Sequence, residues 1–121
     1  MNKNILIVED DPGILTVYTE RLKLEGFDVN SVTTGKEGLT LTKNIKPDLI
    51  LLDIMLPGKL SGFDVLEQVK KDPDVKNIPV IVMTNLGTEA KVAKEIGAVD
   101  YFIKANVSLD EVIDKIKSLL K

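Results

Sequence analysis

"ILIVEDDPG", residues Ile5 to Gly13, sets four aliphatic residues against three consecutive carboxylates, Glu9, Asp10 and Asp11, and then breaks at Pro12-Gly13. The two halves answer to different demands. An unbroken aliphatic run is what a strand needs when both sheet faces are covered, the usual state of a parallel sheet packed between helices. Like charges at the end of such a strand lie at the rim of the sheet, where open α/β folds gather ligands. Pro12 suits the first turn of a helix and Asp11 suits its cap. The stretch reads as strand, loop and helix start.

The same alternation continues along the chain. Ile5–Val8, Val29–Val32, Leu49–Leu52, Val80–Met83 and Tyr101–Ile103 are predicted strands, with segments of helical spacing between them. Gly26 and Gly97 are placed to end the first and fourth helices. Thr34-x-x-Glu37 and Ser108-x-x-Glu111 fit the capping box. Val112, Ile113, Ile116, Leu119 and Leu120 make an apolar stripe on the last helix, which should dock on the sheet. Five strand–helix units with short connections imply an α/β fold with a parallel sheet, right-handed crossovers and helices on both faces.

Composition bounds the function. With 121 residues and 44% apolar content, the chain forms one domain, residues 1–121, with a real core. No linker, repeat or low-complexity stretch interrupts it, so a domain without an attached effector is expected. The formal charge of -3 and the lack of a basic stripe argue against a nucleic-acid surface. No apolar run approaches membrane-spanning length and no signal pattern opens the chain, so no membrane association and a cytoplasmic location are expected. The chain has no cysteine and no histidine, so its chemistry runs on carboxylates, hydroxyls, amines and the backbone.

The predicted strand ends concentrate that chemistry. Strand one ends at Glu9 and Asp10, strand three at Asp53, strand four at Thr84 and strand five at Lys104. Taken singly these are ordinary residues: Asp10 and Asp11 as helix caps, Asp53 as a turn residue, Thr84 as a strand former, Lys104 as a solvated amine. Their joint placement at the same rim favours a site, with Asp11 kept as a cap. Neighbouring carboxylates repel unless a hard cation relieves them, and an all-oxygen ligand set suits Mg²⁺. Asp53 beside such a cation is positioned as a nucleophile toward a phosphoryl group, whose oxygens Thr84 and Lys104 could hold.

Together, "ILIVEDDPGIL", "PDLILLDIMLPG", "GFDVLEQVKK", "IPVIVMTN" and "GAVDYFIKA" resemble the receiver domain of two-component response regulators, from Lys3 to about Leu120. The resemblance implies the flavodoxin-like (βα)5 fold with strand order 2-1-3-4-5. It implies that Asp53 accepts phosphate from a phosphohistidine of a sensor histidine kinase or phosphotransfer protein. Mg²⁺ would then be bound by Asp10, Asp53 and the backbone carbonyl of Met55, with Glu9 acting through a coordinated water. Thr84 and Lys104 would hold phosphoryl oxygens, and Tyr101 matches the aromatic switch position that responds to movement of Thr84. The implied role is a signalling switch for a downstream effector protein, able to catalyse its own phosphorylation and hydrolysis without being an enzyme in the ordinary sense.

Four features depart from the family pattern. The loop Pro57–Gly62 is one residue longer, which would bring Lys59 toward the phosphate. Ala105 follows Lys104 where the family has a cis proline; a cis bond before Ala costs roughly 2.5–4 kcal/mol, so a trans or strained loop is expected. The stretch from Thr84 to Lys104 is shorter by about half a helical turn. Asn85 stands where a small residue is usual and would narrow access to the site.

Other functions remain open from the residues alone. A degenerate receiver would serve as a phosphorylation-independent interaction module. A flavin carrier could share the sheet, although the acidic first loop is poorly suited to cradle phosphate. A metal-dependent phosphatase with an Asp nucleophile usually has a second Asp two residues later, where this chain has Met55.

Overall fold

The computed structural model describes residues 2–120. Its elements run β1 (Asn4–Val8), α1 (Pro12–Leu24), β2 (Asp28–Val32), α2 (Gly35–Ile45), β3 (Leu49–Leu52), α3 (Gly62–Lys71), β4 (Val80–Thr84), α4 (Ala90–Ile96), β5 (Asp100–Ile103) and α5 (Leu109–Leu119). All strand pairings are parallel, in the order β2-β1-β3-β4-β5. The expected α/β fold and strand order are therefore present, each strand within one residue of its predicted start and end.

The strand alternation builds two apolar layers. Leu6 and Val8 of β1, Ile50 and Leu52 of β3, and Val80 and Val82 of β4 point to the face covered by α2, α3 and α4, where Leu39, Val65, Leu66, Val69 and Ala93 meet them. Ile5, Ile7, Leu49, Leu51, Ile81 and Met83 point to the other face and pack on Tyr18 and Leu22 of α1 and on Val112, Ile113 and Ile116 of α5. Past Asn4 at the start of β1, the central strands β1, β3 and β4 carry no polar residue before their carboxyl ends because both of their faces are dry. The edge strand β2, half solvated, reads Asp-Val-Asn-Ser-Val instead.

The helix ends follow their local chemistry. Asp11 accepts from the Gly13 and Ile14 N–H groups ahead of Pro12. Gly26 and Gly97 take positive φ angles of 95° and 136° just beyond α1 and α4. Ser108 and Glu111 form a full capping box, as does the unforeseen pair Ser61 and Asp64 at α3. At α2 only half of the expected box forms: Thr34 accepts from the Glu37 N–H, while the Glu37 carboxylate takes the Thr34 hydroxyl rather than the cap's backbone N–H. No described peptide bond is cis, so the Lys104–Ala105 bond is trans.

Candidate functional site

The sheet register brings the candidate residues together. Val8 of β1 pairs with Leu52 of β3, so the next residues, Glu9 and Asp53, emerge side by side. The Asp53 N–H donates to the Val8 carbonyl at 3.0 Å and the Glu9 N–H to the Val32 carbonyl at 3.0 Å, extending the ladder to the rim. On the other side, the Lys104 N–H donates to the Thr84 carbonyl at 2.9 Å. Residues scattered over nearly the whole chain thus meet in one open cleft of about 490 Å³. Glu9, Asp10, Asp11, Pro12, Asp53, Met55, Thr84, Asn85 and Lys104 line it.

Lys104 is the electrostatic centre of the cleft. Its Nζ donates to Asp53 Oδ2 at 2.9 Å and lies 2.6 Å from Glu9 Oε1. Burial pulls the ammonium pKa down, but its contacts with Glu9 and Asp53 outweigh that pull and leave it raised. Burial pushes the Glu9 carboxyl up, and the contacts with Lys104 and the Asp11 N–H offset this only in part. One cation therefore faces four carboxylates in the cleft, an imbalance that favours a second positive charge.

The donor set fits a hard divalent cation. Glu9, Asp10 and Asp53 each offer a carboxylate oxygen, and these atoms lie within 4.8 Å of one another. Glu9 Oε1 is buried and, despite the nearby ammonium, lacks an aligned hydrogen bond. Asp10, by contrast, is exposed at the mouth of the cleft. An all-oxygen set with room for water matches Mg²⁺ rather than a softer metal.

Thr84 is fully buried at the end of β4, and its Oγ1 accepts from the Leu86 N–H at 3.4 Å. Tyr101 is 9% exposed, and its hydroxyl donates to the Leu86 carbonyl. Both candidate switch residues therefore hold opposite ends of the residue Leu86, which sequence reasoning did not single out. Met55 is exposed, and its N–H donates to Asp53 Oδ1 at 3.1 Å.

The longer loop does not act as expected. Lys59 is exposed and absent from the cleft lining. The extra length is taken up by Gly58, with a positive φ of 92°, and by Leu60, which turns in against Gly35 at the start of α2. The shortened segment after Thr84 is visible as a helix α4 of 7 residues with no side-chain cap.

A family model described as the response regulator receiver domain matches residues 5–117. The DNA-binding dual master transcriptional regulator RpaA of Synechocystis is 36% identical over 97% of this chain, which covers 48% of that protein. The sporulation initiation phosphotransferase F of Bacillus subtilis is 35% identical over 99% of this chain and 95% of its own length. Against the transcriptional regulators, the chain spans about half the length of the curated relatives it matches. Among solved structures, the BeF3-activated receiver domain of Klebsiella pneumoniae RstA superposes with a TM-score of 0.88 at 29% identity, covering 98% of this chain and 99% of that one. The response regulator TrrA of Thermotoga maritima in complex with Mg²⁺ and BeF gives a TM-score of 0.85 at 30% identity, covering 97% and 98%.

Proposed function

The chain belongs to the response regulator receiver domain family, which it matches from residue 5 to 117, and from that premise we propose a phosphorylation-controlled switch whose acceptor is Asp53. The observation that carries this reading is the position of Asp53. It is buried at the floor of the cleft, held by Lys104 on one oxygen and by the Met55 N–H on the other.

In the proposed reaction a carboxylate oxygen of Asp53 attacks the phosphorus of a phosphohistidine. The new O–P bond forms as the P–N bond breaks, and the electron pair stays on the donor's imidazole nitrogen. Lys104 balances charge on the phosphoryl oxygens, and the Thr84 hydroxyl offers a proton to one of them. Asp10, Asp53 and the Met55 carbonyl would hold Mg²⁺, with Glu9 acting through a bound water. When bound, the cation neutralises the carboxylates and the incoming phosphoryl oxygens. No imidazole base is required, because a carboxylate nucleophile has no proton to give up as it attacks.

The switch itself runs through Leu86. Turning the Thr84 hydroxyl to donate to a phosphoryl oxygen moves the same oxygen that accepts from the Leu86 N–H, and Tyr101 holds the carbonyl of that residue. A change at Asp53 is thereby passed to the loop before α4. The proposed partners are a sensor histidine kinase or phosphotransfer protein as donor and an effector protein as reader. Direct contact of these residues with nucleic acid is not part of the reading, since the chain offers no basic stripe. Its catalysis is confined to its own phosphorylation and hydrolysis, which makes it a phospho-acceptor rather than a turnover enzyme. Among the described residues no helix is long and apolar enough to cross a membrane, and a cytoplasmic site of action accords with the donor proposed.

Intact mass after incubation with acetyl phosphate and Mg²⁺ tests the proposal, beside Asp53→Ala and beside excess chelator. A single phosphoryl gain in the first sample alone supports it. No gain in the unaltered chain, with Mg²⁺ binding intact or absent, favours a phosphorylation-independent interaction module.

A further inference from the structure

The proposed reaction leaves one cleft residue without a role. Asn85 follows Thr84 at the carboxyl end of β4, is exposed, and lines the cleft beside Asp53 and Lys104. In its loop the Leu86 N–H donates to the Thr84 hydroxyl and the Tyr101 hydroxyl donates to the Leu86 carbonyl, and among the described residues no hydrogen bond engages the Asn85 carboxamide.

A phosphoryl group entering this cleft needs hydrogen-bond donors, and beyond the backbone N–H groups of the lining few side-chain donors are on offer. Glu9, Asp10, Asp11 and Asp53 only accept when ionised, and Pro12 and Met55 carry no side-chain donor. Lys104 is already shared between Glu9 and Asp53. Thr84 contributes one hydroxyl proton. The remaining side-chain donor in the lining is the Asn85 amide, with two N–H groups and no charge. A neutral donor suits the position, because it can meet an anion without competing with a bound cation for the carboxylates. A carboxylate there would add to a lining that is already acidic.

We propose that the Asn85 carboxamide donates a hydrogen bond to a phosphoryl oxygen as Asp53 is phosphorylated, acting beside Thr84 as a second neutral donor. The inference rests on Asp53 as acceptor and names a further side-chain contact for the phosphoryl group at that site. It gives Asn85 a positive role in place of the narrowing of access expected from its size.

Rates of Asp53 phosphorylation by acetyl phosphate in saturating Mg²⁺ provide the test, measured on Asn85→Ala, Asn85→Asp and Asn85→Ser. Loss of one charge-assisted hydrogen bond should slow Asn85→Ala about tenfold. Asn85→Asp, which trades a donor for a negative charge, should be slower again. Asn85→Ser, which restores a short donor, should recover part of the loss. Mg²⁺ affinity of Asn85→Ala, measured calorimetrically without any phosphoryl donor, should stay within about twofold of the parent, as expected for a side chain that does not touch the cation. A rate for Asn85→Ala equal to or above that of the parent overturns the proposal and makes the side chain a steric gate. A parallel fall in Mg²⁺ affinity also overturns it. If the parent itself gains no phosphoryl group, the underlying assignment of Asp53 falls and this proposal falls with it.

Discussion

The backbone of Asp53 occupies the place where a side chain on Gly62 would begin: a Cβ built there falls 2.1 Å from the Asp53 carbonyl oxygen and 2.5 Å from Ile54 Cα. The Gly62 N–H also donates to the Ile54 carbonyl at 2.8 Å. The start of α3 is thus laid directly on the backbone that carries the proposed acceptor. Gly62→Ala should cost about 3 kcal/mol, since the clash is with backbone rather than a movable side chain. Urea unfolding reads the loss, and the phosphorylation rate should fall with it because Asp53 must shift to make room.

Lys104→Met should remove the one ammonium that faces Glu9 and Asp53, leaving two buried carboxylates without a cation. Breaking such a pair costs about 3 kcal/mol. Mg²⁺ should return a good part of this, since it supplies positive charge to the same oxygens. Thermal unfolding with Mg²⁺ and with chelator measures the difference, and an equal deficit in both would show that no cation binds there.

Tyr101→Phe keeps the ring in its apolar layer and removes the hydroxyl that bonds the Leu86 carbonyl. Global stability should drop by about 1 kcal/mol. The larger effect should be local, with faster amide exchange from Asn85 to Glu89 and little change in β1 or β3. Hydrogen exchange followed by NMR separates the two.

The Glu25 carboxylate lies between Lys117 on α5, at 2.8 Å, and Arg21, at 3.0 Å. Hydrogen bonds from Lys117 and then Arg21 hold its pKa below the ordinary 4.5. The unfolded chain therefore binds the proton more readily than the folded one. The stabilisation is complete above 4.5 and is lost as pH falls through the lower folded value. In Lys117→Met the Glu25 midpoint should move up toward 4.5 in a carboxyl NMR titration, and the acid-side slope of stability should flatten.

Much of this was legible in the sequence because two periodicities coincide. The runs Ile5–Val8, Leu49–Leu52 and Val80–Met83 can only be strands covered on both faces, and strand ends in a parallel sheet share one rim. Locating Glu9, Asp53, Thr84 and Lys104 on that rim therefore required strand boundaries and little else. Contacts that depend on backbone proximity were not legible. Nothing in the one-dimensional pattern places Gly62 against Asp53 or Leu86 between Thr84 and Tyr101. The Ser61 box escaped notice because its partner is Asp64, a shorter acid than the Glu of the usual signature. Lys59 was misjudged for a related reason: an added loop residue has no fixed direction in sequence, and here Gly58 and Leu60 turn the chain toward α2.

The sharing of one sheet face by α1 and α5 also bears on how the chain matures during synthesis. Ile81 and Met83 of β4 are covered in part by Val112, Ile113 and Ile116, which are made after β4. Arg21 reaches Asp110 at 2.8 Å and Glu25 reaches Lys117, joining the first helix to the last. A nascent chain that has emerged only through β4 would carry a bare aliphatic wall, so vectorial, piecewise maturation is closed to it. The domain must instead remain unsettled until α5 leaves the ribosome, and a message truncated before α5 would yield a sticky product rather than a smaller working one.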